Sequence, residues 1–227
     1  MNKATIDTIF QTLQKNYSNP KTELIYTTPF QLLVAVMLSA QTTDKQVNKV
    51  TEHFFDIIQT PKDLVAVGEK KFESLIAWVN YYKTKAKHIF ATAQRLILLQ
   101  GDATKKEHAL FLKKRGYLMP DTLKEMVSLP WVGEKTAKVL LHVLFGALVI
   151  PVDTHVHRVT NRLGIVKTKT PLETSKLLEK SVPNVYKVFA HHALILFWRY
   201  HCTARNPKCE TCPLASVCAY YKKKKKK

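Results

Sequence analysis

The residues best suited to do chemistry in this chain are Lys135, Asp153 and four cysteines, all in its second half. The cysteines follow the spacing Cys202-x6-Cys209-x2-Cys212-x5-Cys218, with Pro207 and Pro213 among them. Four thiolates gathered over so short a stretch suit either a tetrahedral zinc or an iron-sulfur cluster, because soft sulfur ligands select both. A C-x2-C pair alone is common, whereas the full set of spacings is specific. A site closed by four protein ligands is structural or positioning rather than hydrolytic. Lys135 belongs to the stretch Leu129-Pro-Trp-Val-Gly-Glu-Lys-Thr-Ala137, which reads as a tight turn leading into a helix at about Gly133. Backbone N–H groups turned outward beside a helix N-terminus bind anions. The plain alternative is an ordinary helix–helix connection. A lysine in the first turn meets the positive end of the helix dipole, and an amine attacks carbon only when neutral. The dipole and desolvation are therefore expected to pull Lys135 below its ordinary value of about 10.4. Asp153, in Pro151-Val-Asp-Thr-His155, stands at the head of the next helix, where a carboxylate is an N-cap whatever else it does.

Helices must position these groups. Strand signals are nearly absent, and apolar residues recur at helical spacing: Ile6, Ile9, Phe10 and Leu13; Leu32, Leu33, Val36 and Met37; Val47, Val50 and Phe54. The fold is therefore expected to be all-α, with about ten short helices. Gly68, Gly146 and Gly164 follow periodic runs, as C-caps do, and Thr43, Ser128, Asp153 and Thr170 precede such runs, as N-caps do. Pro29, Pro61, Pro171 and Pro183 sit where helices would begin. The segment 101–120 has poor periodicity and reads as a mobile excursion from the core, and 222–227 reads as a disordered lysine tail.

The charge balance of 36 Lys plus Arg against 17 Asp plus Glu gives +19, and +13 remains when the six terminal lysines are set aside. Such a field attracts polyanions, so nucleic acid is the partner to expect; the bland reading is a solubility surface. The apolar stretches 30–40 and 139–152 fall short of the roughly 20 residues a bilayer span needs. The N-terminus lacks a signal-peptide pattern, so no membrane association and a cytoplasmic, nucleoid-associated location are expected.

The run from Leu129 to Gly164, the four-cysteine spacing and Leu-Ser-Ala-Gln-Thr-Thr-Asp at 38–44 together resemble the endonuclease III family of DNA glycosylases, over about residues 5–218. The resemblance implies two helical lobes flanking a DNA-binding cleft, a helix-hairpin-helix motif and a 4Fe-4S cluster held by the four cysteines. On this sequence the lobes would be 20–133, a six-helix barrel-like domain with the hairpin at its end, and 1–19 joined to 134–221. The resemblance also implies that Lys135 forms a Schiff base with the sugar of a damaged nucleotide and that Asp153 assists. Gln41 would fill the gap left by the extruded base. The implied activity is removal of a damaged base, an oxidised pyrimidine by family likeness, from double-stranded DNA, then strand cleavage 3′ to the abasic site by β-elimination. A monomer is expected. Further DNA contacts are expected from Ser39 and Thr42, from the wedge turn Val79-Asn80-Tyr81, and from the hairpin residues Leu129, Pro130, Trp131, Val132, Gly133 and Thr136. His155 and Arg158 complete that set. The competing readings are a non-enzymatic helix-hairpin-helix DNA-binding protein and a mismatch glycosylase without lyase activity.

One departure stands out. The family hairpin has glycine where this chain has Trp131, and Trp198 in Leu-Ile-Leu-Phe-Trp-Arg likewise occupies a family glycine position. Glycine is wanted in the hairpin for a backbone with φ > 0 and for close approach to phosphate. Some bacterial lineages read UGA as glycine where a common alternative table gives tryptophan, so Trp131 and Trp198, with Trp78 as a third candidate, are read as recoded glycines. The alternative is a genuine tryptophan and a damaged hairpin.

Overall fold

A computed structural model describes residues 1–18, 20–101 and 119–225. Its described residues form helices and connecting turns, with no strand among them. They fall into two compact units, Glu23–Phe145 and the pair Met1–Thr22 with Gly146–Lys227.

The unit 23–145 holds α2 (Pro29–Leu38), α3 (Asp44–Thr51), α4 (Pro61–Val67), α5 (Glu69–Leu75), α6 (Tyr82–Gly101), α7 (Leu123–Met126) and α8 (Glu134–Phe145). Its centre is α2, buried from Phe30 through Val36 and again at Leu38, and α3, α6 and α8 pack on it. A helix this apolar all round is a core helix rather than a surface one. Pro29 at its first turn and the Thr28 capping box fix where it starts. Gln31 is buried yet satisfied: its side-chain amide donates to Phe55 O and Ile58 O, and its Oε1 accepts from Thr27 and Thr28.

The other unit joins the two ends of the chain. It holds α1 (Lys3–Asn16), α9 (Thr154–Leu163), α10 (Pro171–Ser181), α11 (Asn184–Tyr200) and α12 (Ala219–Lys225). The apolar stripe Ile6, Ile9, Phe10 and Leu13 of α1 is buried, with Phe10 stacked on Tyr186 of α11 at 5.4 Å. Val156, Val159 and Leu163 of α9 complete the same core. Gly164 ends α9 at φ 85, and a Cβ there would lie 2.9 Å from Ala219 Cβ, so both the backbone and the close approach of α12 demand glycine.

Several expectations change. The boundary expected at 133 falls after Phe145, because α8 packs on α2 and stays with that unit. The lysine tail is not wholly disordered: Lys222–Lys225 continue α12, which Tyr221 anchors by burial and by donating to Glu210 Oε2 at 2.6 Å. Ser128 is no N-cap; its N–H and hydroxyl both bond Glu125 O, closing the end of α7, and Thr122 caps that helix. Thr43, Asp153 and Thr170 do cap their helices. Most of the expected excursion lies outside the described residues.

Candidate functional site

The hairpin is the link between α7 and α8. Leu129 and Val132 turn inward, 2% and 4% exposed, while Trp131 and Gly133 face solvent. Thr92 of α6 anchors the turn by donating its hydroxyl to Pro130 O at 2.7 Å. The alternation narrows the expected hairpin contacts: the Leu129 and Val132 side chains pack into the core and Val132 N–H is engaged with Leu129 O, which leaves Trp131 and Gly133 facing outward. Trp131 adopts φ 61, in the left-handed region that glycine occupies freely and other residues at a cost of roughly 1–2 kcal/mol. Its exposed indole lies flat on His88 at 3.7 Å. Lys135, on the first turn of α8, is exposed, so the burial expected around its amine is not provided. Below it the ion pair Glu134–Lys138, 2.9 Å, spans one helical turn with Lys138 buried.

The turn after α2 carries Gln41, exposed at φ 57, and the turn before α6 carries Tyr81, exposed at φ 59. The two meet, since Asn80 Nδ2 donates to Gln41 O at 2.8 Å. Val79, expected in the wedge, is instead 2% exposed and belongs to the core, which leaves Asn80 and Tyr81 as the accessible residues of that turn. Ser39 and Thr42 are half-buried beside Gln41. Beneath them lies Lys85, which sequence reasoning passed over. It is buried and donates to Leu38 O, Ala40 O and Thr42 Oγ1 at 2.7, 2.6 and 3.2 Å. The signal was present: Lys85 falls in register with the buried Ile89, Thr92 and Leu96 on one face of α6.

In the terminal unit Asp153 caps α9, its Oδ1 accepting from His155 N at 2.9 Å and Val156 N at 2.8 Å, which leaves Oδ2 outside both bonds. The strand of chain leading to it is pinned by three buried or half-buried side chains. Ser175 donates to Ile150 O, Glu179 accepts from Ile150 N, and His191 Nδ1 lies 2.8 Å from Pro151 O. His155 stacks on Trp198 at 3.6 Å and sits 3.1 Å from Arg158 Nη2. Two nitrogens here are buried without a hydrogen-bond partner among the described residues, Arg158 Nε and Trp198 Nε1. An orphaned indole N–H costs of order 1–3 kcal/mol.

All four cysteines line one hollow, with Leu163 and Phe197 behind them. No three His, Cys, Asp or Glu side chains among the described residues are close enough to share one metal ion. A cluster of several atoms needs what is present, a hollow with thiols on its wall. Burial pushes the Cys202 and Cys212 thiols up, and Arg162 pulls Cys202 back by donating to its Sγ at 3.7 Å. Arg162 also binds Thr203 O and Ala204 O, at 2.8 Å each, so it pins the start of the cysteine loop to α9.

The family model for HhH-GPD superfamily base excision DNA repair proteins matches residues 34–184, and that for the iron-sulfur binding domain of endonuclease III matches 202–218. The chain is 39% identical over 221 residues to endonuclease III of Rickettsia prowazekii, covering 97% of each. It belongs to the endonuclease III family. The corresponding Bacillus subtilis enzyme is 40% identical over 212 residues, covering 93% of this chain and 90% of that one. A solved trapped endonuclease III–DNA covalent intermediate, an estranged-adenine complex, superposes with a TM-score of 0.85 at 37% identity, covering 99% of each chain. As a member of this family the protein is a bifunctional DNA glycosylase and abasic-site lyase of base excision repair that carries a 4Fe-4S cluster.

Proposed function

We propose that the enzyme removes oxidised pyrimidines from double-stranded DNA with Lys135 as nucleophile. Lys135 Nζ attacks the sugar C1′ as the base departs, forming a Schiff base that makes the neighbouring sugar hydrogen acidic; loss of that proton expels the 3′ phosphate. Asp153 stabilises the positive charge that develops on the sugar. The observation that carries this reading is the placement of a lysine on the first turn after the hairpin, in a family with a member captured as a covalent intermediate with DNA. Because Lys135 is exposed in the free protein, the DNA itself must supply the water exclusion that makes its amine nucleophilic.

Extruding the base costs a few kcal/mol, least for a lesion that pairs poorly. Gln41 fills the vacated stack, with Asn80 and Tyr81 beside it; the hairpin backbone, Thr136, His155 and Arg158 hold phosphates. Cys202, Cys209, Cys212 and Cys218 are the cluster ligands, and when bound the cluster supplies structure and charge to the C-terminal loop. The enzyme acts as a monomer in the cytoplasm, on the nucleoid; among the described residues no helix is long and apolar enough to cross a membrane. Trp131 and Trp198 stand at codons read as glycine in the source organism. The left-handed backbone at Trp131 and the orphaned indole nitrogen of Trp198 both support that assignment.

Borohydride reduction during reaction with abasic-site duplex tests the central step. The wild-type enzyme is expected to be trapped on DNA and Lys135→Ala is not. No trapped species from wild type, or an equal yield from the variant, overturns the assignment.

A further inference from the structure

Gln41 and Tyr81 each hold a left-handed backbone without being glycine. Such a backbone is disfavoured for every residue but glycine, so the surroundings must over-determine the geometry. Lys85 does much of this. As a protonated amine it has three donors, and its three acceptors come from one short stretch: Leu38 O and Ala40 O on one side of Gln41, Thr42 Oγ1 on the other. The two carbonyls lie at or just past the C-terminal end of α2, where such groups lack helical partners and the dipole favours a cation. The backbone N–H of Lys85 makes the first helical bond of α6, to Tyr81 O at 3.0 Å, so the residue that holds the 38–42 turn sits one helical turn beyond Tyr81. Asn80 completes the link with its bond to Gln41 O. Burial pushes the Lys85 ammonium down to about 8, which leaves it mainly protonated at neutral pH. A helix end can be finished without burying a charge. The ammonium does something a plain cap does not: it fixes both flanks of Gln41 and leaves that side chain outside.

We propose that Lys85 is a positioning residue for base extrusion, clamping the 38–42 turn against the turn at Tyr81 so that Gln41 is pre-set to enter the vacated stack. This rests on the assignment of Gln41 to that gap.

The test uses full-length, cluster-loaded enzyme and a duplex bearing a stable abasic-site analogue with 2-aminopurine opposite it, whose fluorescence reports unstacking. Lys85→Met is expected to lose most of the wild-type fluorescence change at saturating enzyme. Its single-turnover excision from a lesion duplex is expected to fall at least about tenfold, while cleavage of a single-stranded abasic oligonucleotide stays within about twofold. Lys85→Arg, which restores a cation, should recover much of the duplex rate. Equal losses on duplex and single strand, or a full fluorescence change in Lys85→Met, overturn the proposal. Gln41→Ala run in parallel separates the two ideas. If it too leaves the signal intact, the assignment of Gln41 fails and the proposal with it; if it abolishes a signal that Lys85→Met retains, only the role of Lys85 fails. Should Lys85→Met lose its cluster colour or cooperative melt, Asn80→Ala is read instead. It removes an exposed bond, is expected to show the same pattern to a smaller degree, and overturns the proposal if it shows no change.

Discussion

The two units reach their working geometry in opposite ways. Every left-handed non-glycine residue among those described, Gln41, Tyr81 and Trp131, lies in the unit 23–145, and each is exposed on a turn assigned to DNA. In the terminal unit the left-handed positions are glycines, Gly146 and Gly164, and Asp153 sits in an ordinary extended N-cap. At Gln41 and Tyr81 the first unit stores backbone strain and secures it with side chains such as Lys85 and Asn80, whereas glycine at 131 would leave that position unstrained. The second uses relaxed backbone and directs its polar side chains toward holding one loop and lining one hollow. Strain is tolerated where surrounding structure over-determines it, and a turn proposed to enter a duplex has reason to be pre-set, because ordering it on binding would cost affinity.

The contrast can be broken by experiment. The largest effect is expected from replacing Cys212 or Cys218 by Ala. Iron should fall from about four per chain, the visible absorbance should go, and amide protection should drop in the terminal unit while 23–145 keeps its own. Simultaneous loss of protection in both units would show that they are not separately stabilised; stoichiometric zinc in anaerobically prepared native protein would refute the cluster ligation.

A smaller effect is expected from Asp153→Asn. Asparagine caps a helix about as well as aspartate, so stability should stay within about 0.5 kcal/mol. Base removal should nevertheless slow by about a hundredfold or more, since a charge aimed at the transition state is lost. Cleavage at a preformed abasic site should suffer less. Equal losses in the two steps would instead tie Asp153 to the preparation of Lys135.

The mildest case is Trp131→Gly. Relief of the left-handed backbone and loss of the His88 stack oppose each other, so stability should change by no more than about 1 kcal/mol. Duplex affinity should rise as the hairpin backbone approaches phosphate. Peptide mass spectrometry on protein from the source organism gives the companion result: glycine at 131 and 198 is expected, and tryptophan at both would sink the recoding.

Spacing along the chain was enough to determine the helical class, the grouping of the four cysteines, the helix that starts after the tight turn at 129–133 and the capping position of Asp153. These are local signals, carried by period, by turn chemistry and by ligand spacing, and they need no knowledge of what lies across the molecule. Whether Val79, Leu129 and Val132 faced DNA or core was decided only by tertiary packing, because a short turn presents its apolar residues to whichever neighbour covers them. The same holds for α8, drawn into the unit 23–145 by α2, and for the exposed amine of Lys135. Lys85 is the sharpest instance. Its place on the buried face of α6 was legible, but its meaning depended on three oxygens some forty residues away in sequence that only the fold brings within hydrogen-bond reach.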